Sequence, residues 1–527
     1  MSYPAASYET PESYAPYQSY YDQTATTWPY TQTTYYSTAS TTSTVTKDEE
    51  VPKWCFNAPS MVMTLLAVIF FMLIGSVTTL ILLALGHQLS SGTTETDYLD
   101  SSIPGGGGNI HLFLSGADAQ NSTDMDTPPA PSASKNPLPK TSSRRPRIGN
   151  VDEPLVCTMG AKINSTQMFP PDALCDYILY DSLYKGYTDP LLAPRGFDAS
   201  LSAFVDAYPT YQATAFGVGI AHSCMSHFAS ALLQADSSFE PLKPFWEKEI
   251  YHYGVLDTPT VDTSEQDLLE ALLSLRIVHS RTVPLRRMGN TMLSFLAAAI
   301  PNDTLADTYV RYFKQNNVPD VFIALGHYVR GDNTLPTCII MPPTVLHRPA
   351  SGHGSYQHDL TSAANGIDVV STQRSKTKLA LSVTLKGRLA TGADPHLLAF
   401  QDFCISNSSM ESFASYAEVC KSPDYSRREI YSSFYEATQL RHSGRSLVFS
   451  YDDRTGLSKK LCSIKAQHTS TKFGIAVFDL DYADFSGVCS TKRGPFPILH
   501  ALRRVLDFFK AGHVTPGNVG DCEKQAT

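Results

Sequence analysis

The hydrophobic and polar positions first mark out an N-terminal tail and one long apolar run. Residues 1–56 are largely Tyr, Thr, Ser and Pro. Such a segment buries too little apolar surface to offset the entropy lost on ordering, which predicts a disordered tail. Met61–Leu85 then contains no charged residue. A helix of that length is about 37 Å long, enough to cross a hydrocarbon core of about 30 Å with some tilt. The sequence therefore predicts a transmembrane helix at residues 60–86.

The flanking charges and the glycosylation sequons predict how this helix is oriented. Lys47 and Lys53 precede the run, and no Lys or Arg follows it before Lys135. Positive charge favours the cytoplasmic side. Asn-x-Ser/Thr sequons, which need lumenal exposure, all follow the run, at Asn121, Asn164, Asn302 and Asn407. We expect a single-pass type II membrane protein with a cytoplasmic N-terminus and an extracellular C-terminal domain.

Residues 87–150 have the composition of a stalk. They contain Gly105–Gly108 and a run rich in Pro and Ser that ends in a basic cluster at Arg144–Arg147. Such sequences form extended linkers rather than packed structure. Cleavage after Arg147 would release the extracellular domain, and an intact stalk is the alternative that the sequence leaves open.

From Leu155 onward, short β-rich runs alternate with helical patterns, which is typical of βα units. Eight such units predict a (β/α)₈ TIM barrel over residues 151–512, with a small α+β insertion at about 389–470 and a C-terminal tail at 513–527. One predicted helix begins after a capping box at Thr263 and Gln266. The predicted strands are Leu155–Gly160, Asp176–Asp181, Thr214–Ala221, Ile250–Leu256, Leu293–Ile300 (helix being the alternative there), Asp320–His327, Lys378–Lys386 and Phe473–Leu480.

Composition excludes several classes of function. The net charge is −9 and charged residues make up 17% of the chain, below the roughly 25% typical of soluble proteins. No dense basic patch is available for nucleic acid. Ten dispersed cysteines without a CxxC pair favour extracellular disulfides over a zinc site. The sequence predicts neither a metal nor a cofactor.

The segment GIAVFDLDYADFSGVC, Gly474–Cys489, resembles the last barrel strand of glycoside hydrolase family 18, the chitinases and chitinase-like lectins. That strand usually reads close to GxMVWxLDxDDFxG followed by a cysteine. Further segments resemble other parts of the family in the expected order: LVCTMG with STQMFPPDALCDYILYDSLY, FLAAAIP, DVFIALGHY, LALSVTLKGR, SYAEVC and SYDDRTGLSKKL. The resemblance implies a chitinase-like TIM barrel with an insertion between its seventh and eighth strands.

The resemblance also implies two disulfides, Cys157–Cys175 and Cys420–Cys489. Cys404–Cys462 and Cys224–Cys338 are then plausible remaining pairs, which would leave Cys522 unpaired. Sequence alone does not fix this connectivity, so the pairing of these five cysteines stays open.

The family's catalytic motif reads DGxDxDxE at the end of the fourth strand, where a glutamate protonates the leaving oxygen and an aspartate orients the substrate acetamide. Aligned on Gly254, the four acidic positions fall on Tyr253, Leu256, Thr258 and Thr260. Asp257 is one residue out of register, which turns a strand side chain to the opposite face. Glu265 falls in the first turn of the next helix, where the dipole favours its anion, whereas a general acid needs a raised pKa. We therefore expect no chitinase activity.

The resemblance implies four candidate ligand-binding residues: Tyr328, Arg388, Phe478 and Asp481. Tyr328 and Arg388 match family site residues, and Phe478 stands where the family has the tryptophan under the sugar. Barrel core is the alternative role of Phe478, and a rim-closing hydrogen bond is the alternative role of Asp481.

Three functions follow for the predicted domain. It binds a chito-oligosaccharide or another glycan without cutting it, it binds an extracellular protein and no sugar, or it cleaves a glycan with displaced acids. The absence of the family's acidic residues from the fourth strand argues against the third function, cleavage of a glycan.

Overall fold

The computed structural model describes residues 152–525 with gaps at 184–197, 235–241, 259–264, 283–291, 301–302, 317, 330, 332–333, 349–358, 373–375, 408, 426–428, 490–493 and 513. The predicted tail, transmembrane helix and stalk lie outside the described residues, as do Asn121, Thr260, Thr263 and Asn302. Within the described part, no helix has both the length and the apolar character needed to cross a membrane.

The strands that carry the site form a closed parallel barrel. In chain order, the first seven are β1 Leu155–Met159, β2 Tyr177–Leu183, β3 Ala215–Ile220, β4 His252–Val255, β5 Ser294–Ala298, β6 Val321–Ala324 and β7 Lys378–Thr384. Five further strands follow: β8 Gly387–Thr391, β9 Phe413–Ala414, β10 Ile430–Ser432, β11 Ala437–Arg441 and β12 Leu447–Tyr451. The last strand, β13 Gly474–Phe478, lies between β7 and β1 and closes the ring. All eight predicted barrel strands are confirmed, and Leu293–Ile300 contains a strand rather than a helix.

Alternation along these strands explains the barrel, because side chains of a strand point to opposite faces in turn. One set of alternating residues packs together inside the ring, including Val156, Leu179, Phe295 and Ile323. The other set packs outward against the helices. Both faces are therefore buried, which is why each strand reads as a nearly continuous apolar run.

The described helices are Ala199–Ala207, His222–Gln234, Lys243–Trp246, Glu265–Thr282, Asp303–Asn316, Leu360–Thr372, Tyr416–Lys421, Arg454–Gln467, Pro497–Lys510 and Val519–Lys524. Pro497–Lys510, which follows β13, buries Leu502, Val505, Leu506 and Phe509 along one face. This i, i+3, i+4, i+7 spacing is the pattern of an amphipathic helix that packs on the barrel.

Between β7 and β13 the chain forms an antiparallel sheet of order β10-β11-β12-β8-β9. This insertion sheet packs tightly where it leaves the barrel: a Cβ on Gly387 would overlap the Phe449 ring. Only a glycine fits at that point, so the start of the sheet is held close to β12.

Four disulfides are described. Cys157–Cys175 and Cys420–Cys489 are present, as the resemblance implied. The remaining predicted pairs are wrong, because Cys338 bonds to Cys404 and Cys462 bonds to Cys522. The backbone bridge between Ile339 and Phe403 brings the first pair together, and the packing of the helix Val519–Lys524 on Arg454–Gln467 brings the second.

Candidate functional site

The end of β4 is where the resemblance places the catalytic acids. Gly254 pairs with Phe295 of β5, and a Cβ at this position would overlap the Phe295 backbone. Tyr253 faces outward, with its Oη 2.7 Å from Nδ1 of His279 in the surrounding helix. Leu256 lies in the apolar cluster inside the barrel. The position expected to hold an acidic group inside the barrel thus holds an aliphatic side chain.

Thr258 lies two residues beyond Leu256, after the end of β4. It is buried, and its Oγ1 has no hydrogen-bond partner among the described residues. A hydroxyl cannot replace a carboxylic acid as a proton donor to a leaving oxygen near neutral pH, because its pKa is far too high.

Two described carboxylates that follow β4, Asp257 and Glu265, have other partners. Oδ1 of Asp257 accepts a 2.8 Å hydrogen bond from the backbone N–H of His222, at the start of the helix that follows β3. Glu265 opens the helix Glu265–Thr282, as predicted, and its Oε1 accepts a 3.0 Å hydrogen bond from Oγ1 of Thr308. Asp257 therefore serves a neighbouring helix terminus, and Glu265 joins two outer helices.

Tyr328 and Arg388, two candidate ligand residues, are in contact. The guanidinium carbon of Arg388 lies 5.3 Å from the centroid of the Tyr328 ring. Both side chains are buried, and Tyr328 packs in a cluster with Tyr435 and Ala437 of the insertion. The insertion therefore covers both residues. Their burial could not be seen from the sequence.

Phe478 ends β13 inside the barrel. Its side chain is buried in the inner cluster, and its ring centroid is 4.8 Å from that of His327. Nδ1 of His327 is in turn 2.7 Å from Oγ of Ser382 on β7. This placement matches the alternative role of Phe478 as barrel core.

Next to Phe478, an ion pair lies at the carboxyl ends of β7 and β13. Nζ of Lys386 is 2.8 Å from Oδ1 of Asp479, and Oγ1 of Thr384 donates a 2.6 Å hydrogen bond to Oδ2. Burial raises the pKa of Asp479, but the Lys386 ammonium and these hydrogen bonds outweigh it and hold the pKa at about 2. Sequence reasoning missed this pair, although its members directly follow neighbouring strands.

Asp481 follows Asp479 by two residues and interacts electrostatically with both members of this pair. Its Oδ2 accepts a 3.1 Å hydrogen bond from the backbone N–H of Lys162, beyond the end of β1. Burial and the negative charge of Asp479 raise the pKa of Asp481 to about 6. The hydrogen bond matches the alternative role of Asp481 in closing the rim, while the raised pKa lets the carboxyl exchange a proton near neutral pH. We call Lys386, Asp479 and Asp481 the mouth cluster.

No protein-family model matches the sequence, and no curated protein sequence matches it. Solved structures match the barrel region. An immunomodulatory active chitinase from Trichuris suis aligns with a TM-score of 0.50 at 13% identity, over 66% of this chain and 98% of that chain. Ostrinia furnacalis Group IV chitinase aligns with a TM-score of 0.50 at 15% identity, over 67% and 100%. Human YKL-39, described as a pseudo-chitinase with retained chitooligosaccharide binding properties, aligns with a TM-score of 0.51 at 13% identity, over 67% and 99%.

The chain has a chitinase-like fold. The likeness covers nearly the whole of each solved structure and about two thirds of this chain. The identities are low, so the likeness establishes the architecture of this chitinase-like barrel and not its chemistry. The resemblance seen in the sequence is confirmed at the level of fold.

Proposed function

We propose that the chitinase-like barrel binds a chito-oligosaccharide or a similar neutral glycan at the carboxyl ends of its strands and does not cleave it. The observation that carries this proposal is the end of β4, where Leu256 lies in the barrel core and Thr258 is buried. Neither side chain can donate a proton to a leaving oxygen. Loss of general acid catalysis typically costs about 10²–10⁴-fold in rate.

Two further observations support binding without cleavage. Asp257 and Glu265, two carboxylates that follow β4 in the chain, are hydrogen-bonded to His222 and Thr308 outside the barrel interior. Among the structures with the same fold, human YKL-39 is described as a pseudo-chitinase that retains chitooligosaccharide binding. A barrel of this type thus supports sugar binding in another protein that lacks hydrolysis.

The test uses the purified full-length chain, kept in detergent because of the apolar run at residues 60–86. Chito-oligosaccharides of increasing length are titrated by calorimetry, and release of shorter oligomers is followed in parallel. We expect saturable binding, no hydrolysis, and weaker binding in Asp481→Asn but not in Glu411→Gln, an exposed exchange on the insertion. Hydrolysis that disappears in Glu265→Gln would overturn the proposal.

A second candidate function is protein binding, and exposed apolar side chains on the insertion favour it. Phe434 is 80% exposed, Phe403 is 62% exposed and Leu397 is 54% exposed. Exposed large apolar groups mark an interaction surface where they form a contiguous patch. Cell binding that survives enzymatic removal of glycans and disappears in the double variant Phe403→Ser, Phe434→Ser would support this function over the first.

We also propose that the chain is a single-pass type II membrane protein with an extracellular barrel. Support comes from the apolar run at 60–86, from Lys47 and Lys53 before it, and from the sequons after it. The acceptors Asn164 and Asn407 are exposed on the barrel and its insertion. A mobility shift after glycosidase treatment, together with surface accessibility of a C-terminal tag in intact cells, tests the topology. An accessible N-terminal tag would contradict it.

A further inference from the structure

A cavity of about 370 Å³ lies between the insertion and the segment that follows β13. The insertion contributes Tyr416, Glu429 and Tyr451, and the segment after β13 contributes Asp484, Pro497 and Ile498. Its volume falls within the range of about 300–1,000 Å³ typical of small-molecule sites. The cavity adjoins the mouth cluster, because Leu385 and Tyr482 line it, but Lys386, Asp479 and Asp481 themselves do not.

One wall is built around a shared carboxylate. The rings of Tyr416 and Tyr451 stack with centroids 4.4 Å apart, and their hydroxyls donate hydrogen bonds of 2.7 and 2.8 Å to Oε1 of Glu429. Burial and then Glu429 raise the pKa of Tyr416 to about 12, so it remains a neutral donor. Oε2 of Glu429 has no hydrogen-bond partner among the described residues. The two tyrosines thus hold the carboxylate of Glu429, an exposed residue at the edge of the cavity, and leave its Oε2 open to a donor.

The opposite wall is held in place independently of any ligand. Oδ1 and Oδ2 of Asp484 accept hydrogen bonds of 2.9 and 3.0 Å from the backbone N–H groups of Val488 and Cys489. The disulfide Cys420–Cys489 links this segment to the insertion. Two walls joined by a covalent bond keep the cavity preformed, which lowers the entropy cost of binding.

The charges that line the cavity restrict its ligand. Among the described lining residues, four carry a carboxylate (Glu429, Asp452, Asp453 and Asp484) and one carries a guanidinium (Arg454), a balance that disfavours an acidic sugar or a phosphate. Binding of a cation is also disfavoured, because three of the four carboxylates already form ion pairs or hydrogen bonds. Asp452 pairs with Lys460, Asp453 accepts from the N–H of Gly456 and Asp484 holds its loop. What remains is an open acceptor beside aromatic and apolar surface.

A pyranose has the matching chemistry, since it presents hydroxyl donors around a ring with apolar C–H faces that pack on aromatic side chains. We propose that this cavity binds one neutral pyranose unit, with a sugar hydroxyl donating to Oε2 of Glu429 and the ring packed beside Tyr416. The site is additional to the proposed mouth site and does not depend on whether the mouth binds a glycan.

The test titrates the full-length chain with methyl glycosides of glucose, galactose and N-acetylglucosamine, using saturation-transfer NMR, with glucuronic acid as the charged counterpart. We expect at least one neutral glycoside to bind and glucuronic acid not to bind. Glu429→Gln removes the charge of the acceptor and should weaken binding about tenfold or more. Thr455→Trp, at a half-buried lining residue, should abolish it by filling the cavity.

Matched variants separate this site from the mouth and from a structural role of the tyrosine pair. Glu411→Gln makes the same exchange on the exposed insertion surface and should not change the affinity. Asp481→Asn should leave monosaccharide binding intact even if it abolishes chito-oligosaccharide binding. The proposal is overturned if no neutral glycoside binds, or if Glu429→Gln lowers the melting temperature and leaves the affinity unchanged.

Discussion

Lys386 and Asp479 form an ion pair across two neighbouring strands, with Nζ 2.8 Å from Oδ1 at the ends of β7 and β13. The Lys386 side chain also lies over Tyr482, with Nζ 4.9 Å from the ring centroid. The mouth of this chitinase-like barrel thus carries a charged pair beside an aromatic ring.

Replacing Lys386 by Met should destabilise the fold by about 1–3 kcal/mol at pH 7, because Asp479 would keep its charge without a partner. The low pKa of Asp479, about 2, means that its stabilising contribution is present above about pH 4 and is lost as the pH falls toward 2. Urea unfolding between pH 2 and pH 7 measures both effects. Lys386→Arg keeps the charge and should retain most of the stability, and equal losses in the two variants would contradict the role of the ion pair.

Asp481 should give stability the opposite pH dependence. Its pKa is raised from 3.8 to about 6, so folding takes up a proton there. The contribution of Asp481 to stability is complete below about pH 4 and is lost as the pH rises to about 6. A shift of this size corresponds to a change on the order of 2–3 kcal/mol.

Asp481→Asn lacks the titrating group. The free energy of unfolding of this variant, relative to that of the natural chain, should therefore increase as the pH rises from 4 to 7. Urea midpoints at intermediate pH values measure the change. Asp206→Asn, an exposed exchange on the helix Ala199–Ala207, serves as the control. Identical pH profiles for Asp481→Asn and the natural chain would rule out the raised pKa.

Asp257 should behave as a helix-capping residue and not as a catalytic one. Asp257→Ala removes the acceptor for the N–H of His222 and should cost about 1 kcal/mol. It should also speed amide hydrogen exchange at His222. Asp257→Asn keeps an acceptor oxygen and should change both quantities much less. A loss of function in Asp257→Asn at unchanged stability would instead indicate that Asp257 takes part in catalysis.

The Cys462–Cys522 bond anchors the C-terminal helix Val519–Lys524 to Arg454–Gln467. The cysteines are 60 residues apart, and closing a loop of that size stabilises a fold by up to about 4 kcal/mol in the chain-entropy model. The double variant Cys462→Ser, Cys522→Ser should therefore lose about 2–4 kcal/mol in urea unfolding. Peptide mapping without reduction should recover Cys462–Cys522 and Cys338–Cys404, and a Cys404–Cys462 peptide would contradict this connectivity.

The barrel was predictable because each strand is buried on both faces and therefore reads as a short apolar run. Local patterns of this kind also place Glu265 at the start of its helix and Asp257 out of register with Leu256. The pattern of the last strand and the order of the matching segments also made the insertion and two disulfides predictable.

Contacts between distant segments were not predictable in the same way. Tyr328 and Arg388 match site positions in sequence, but the insertion buries them against each other. Tyr416, Glu429 and Asp484 line one cavity, and no single segment of the sequence predicts that cavity. Disulfide connectivity failed for the same physical reason, since pairing depends on which loops fold back onto which helices.

The four described disulfides join cysteines that are 18, 66, 69 and 60 residues apart. During synthesis on the ribosome, the first thiol of each long-range pair emerges well before its mate. Cys462, for example, is synthesised 60 residues before Cys522, and its thiol is then available for exchange with other thiols. Formation of these disulfides therefore requires oxidising conditions that allow disulfide exchange, and recombinant production in a reducing cytosol should yield scrambled or open forms.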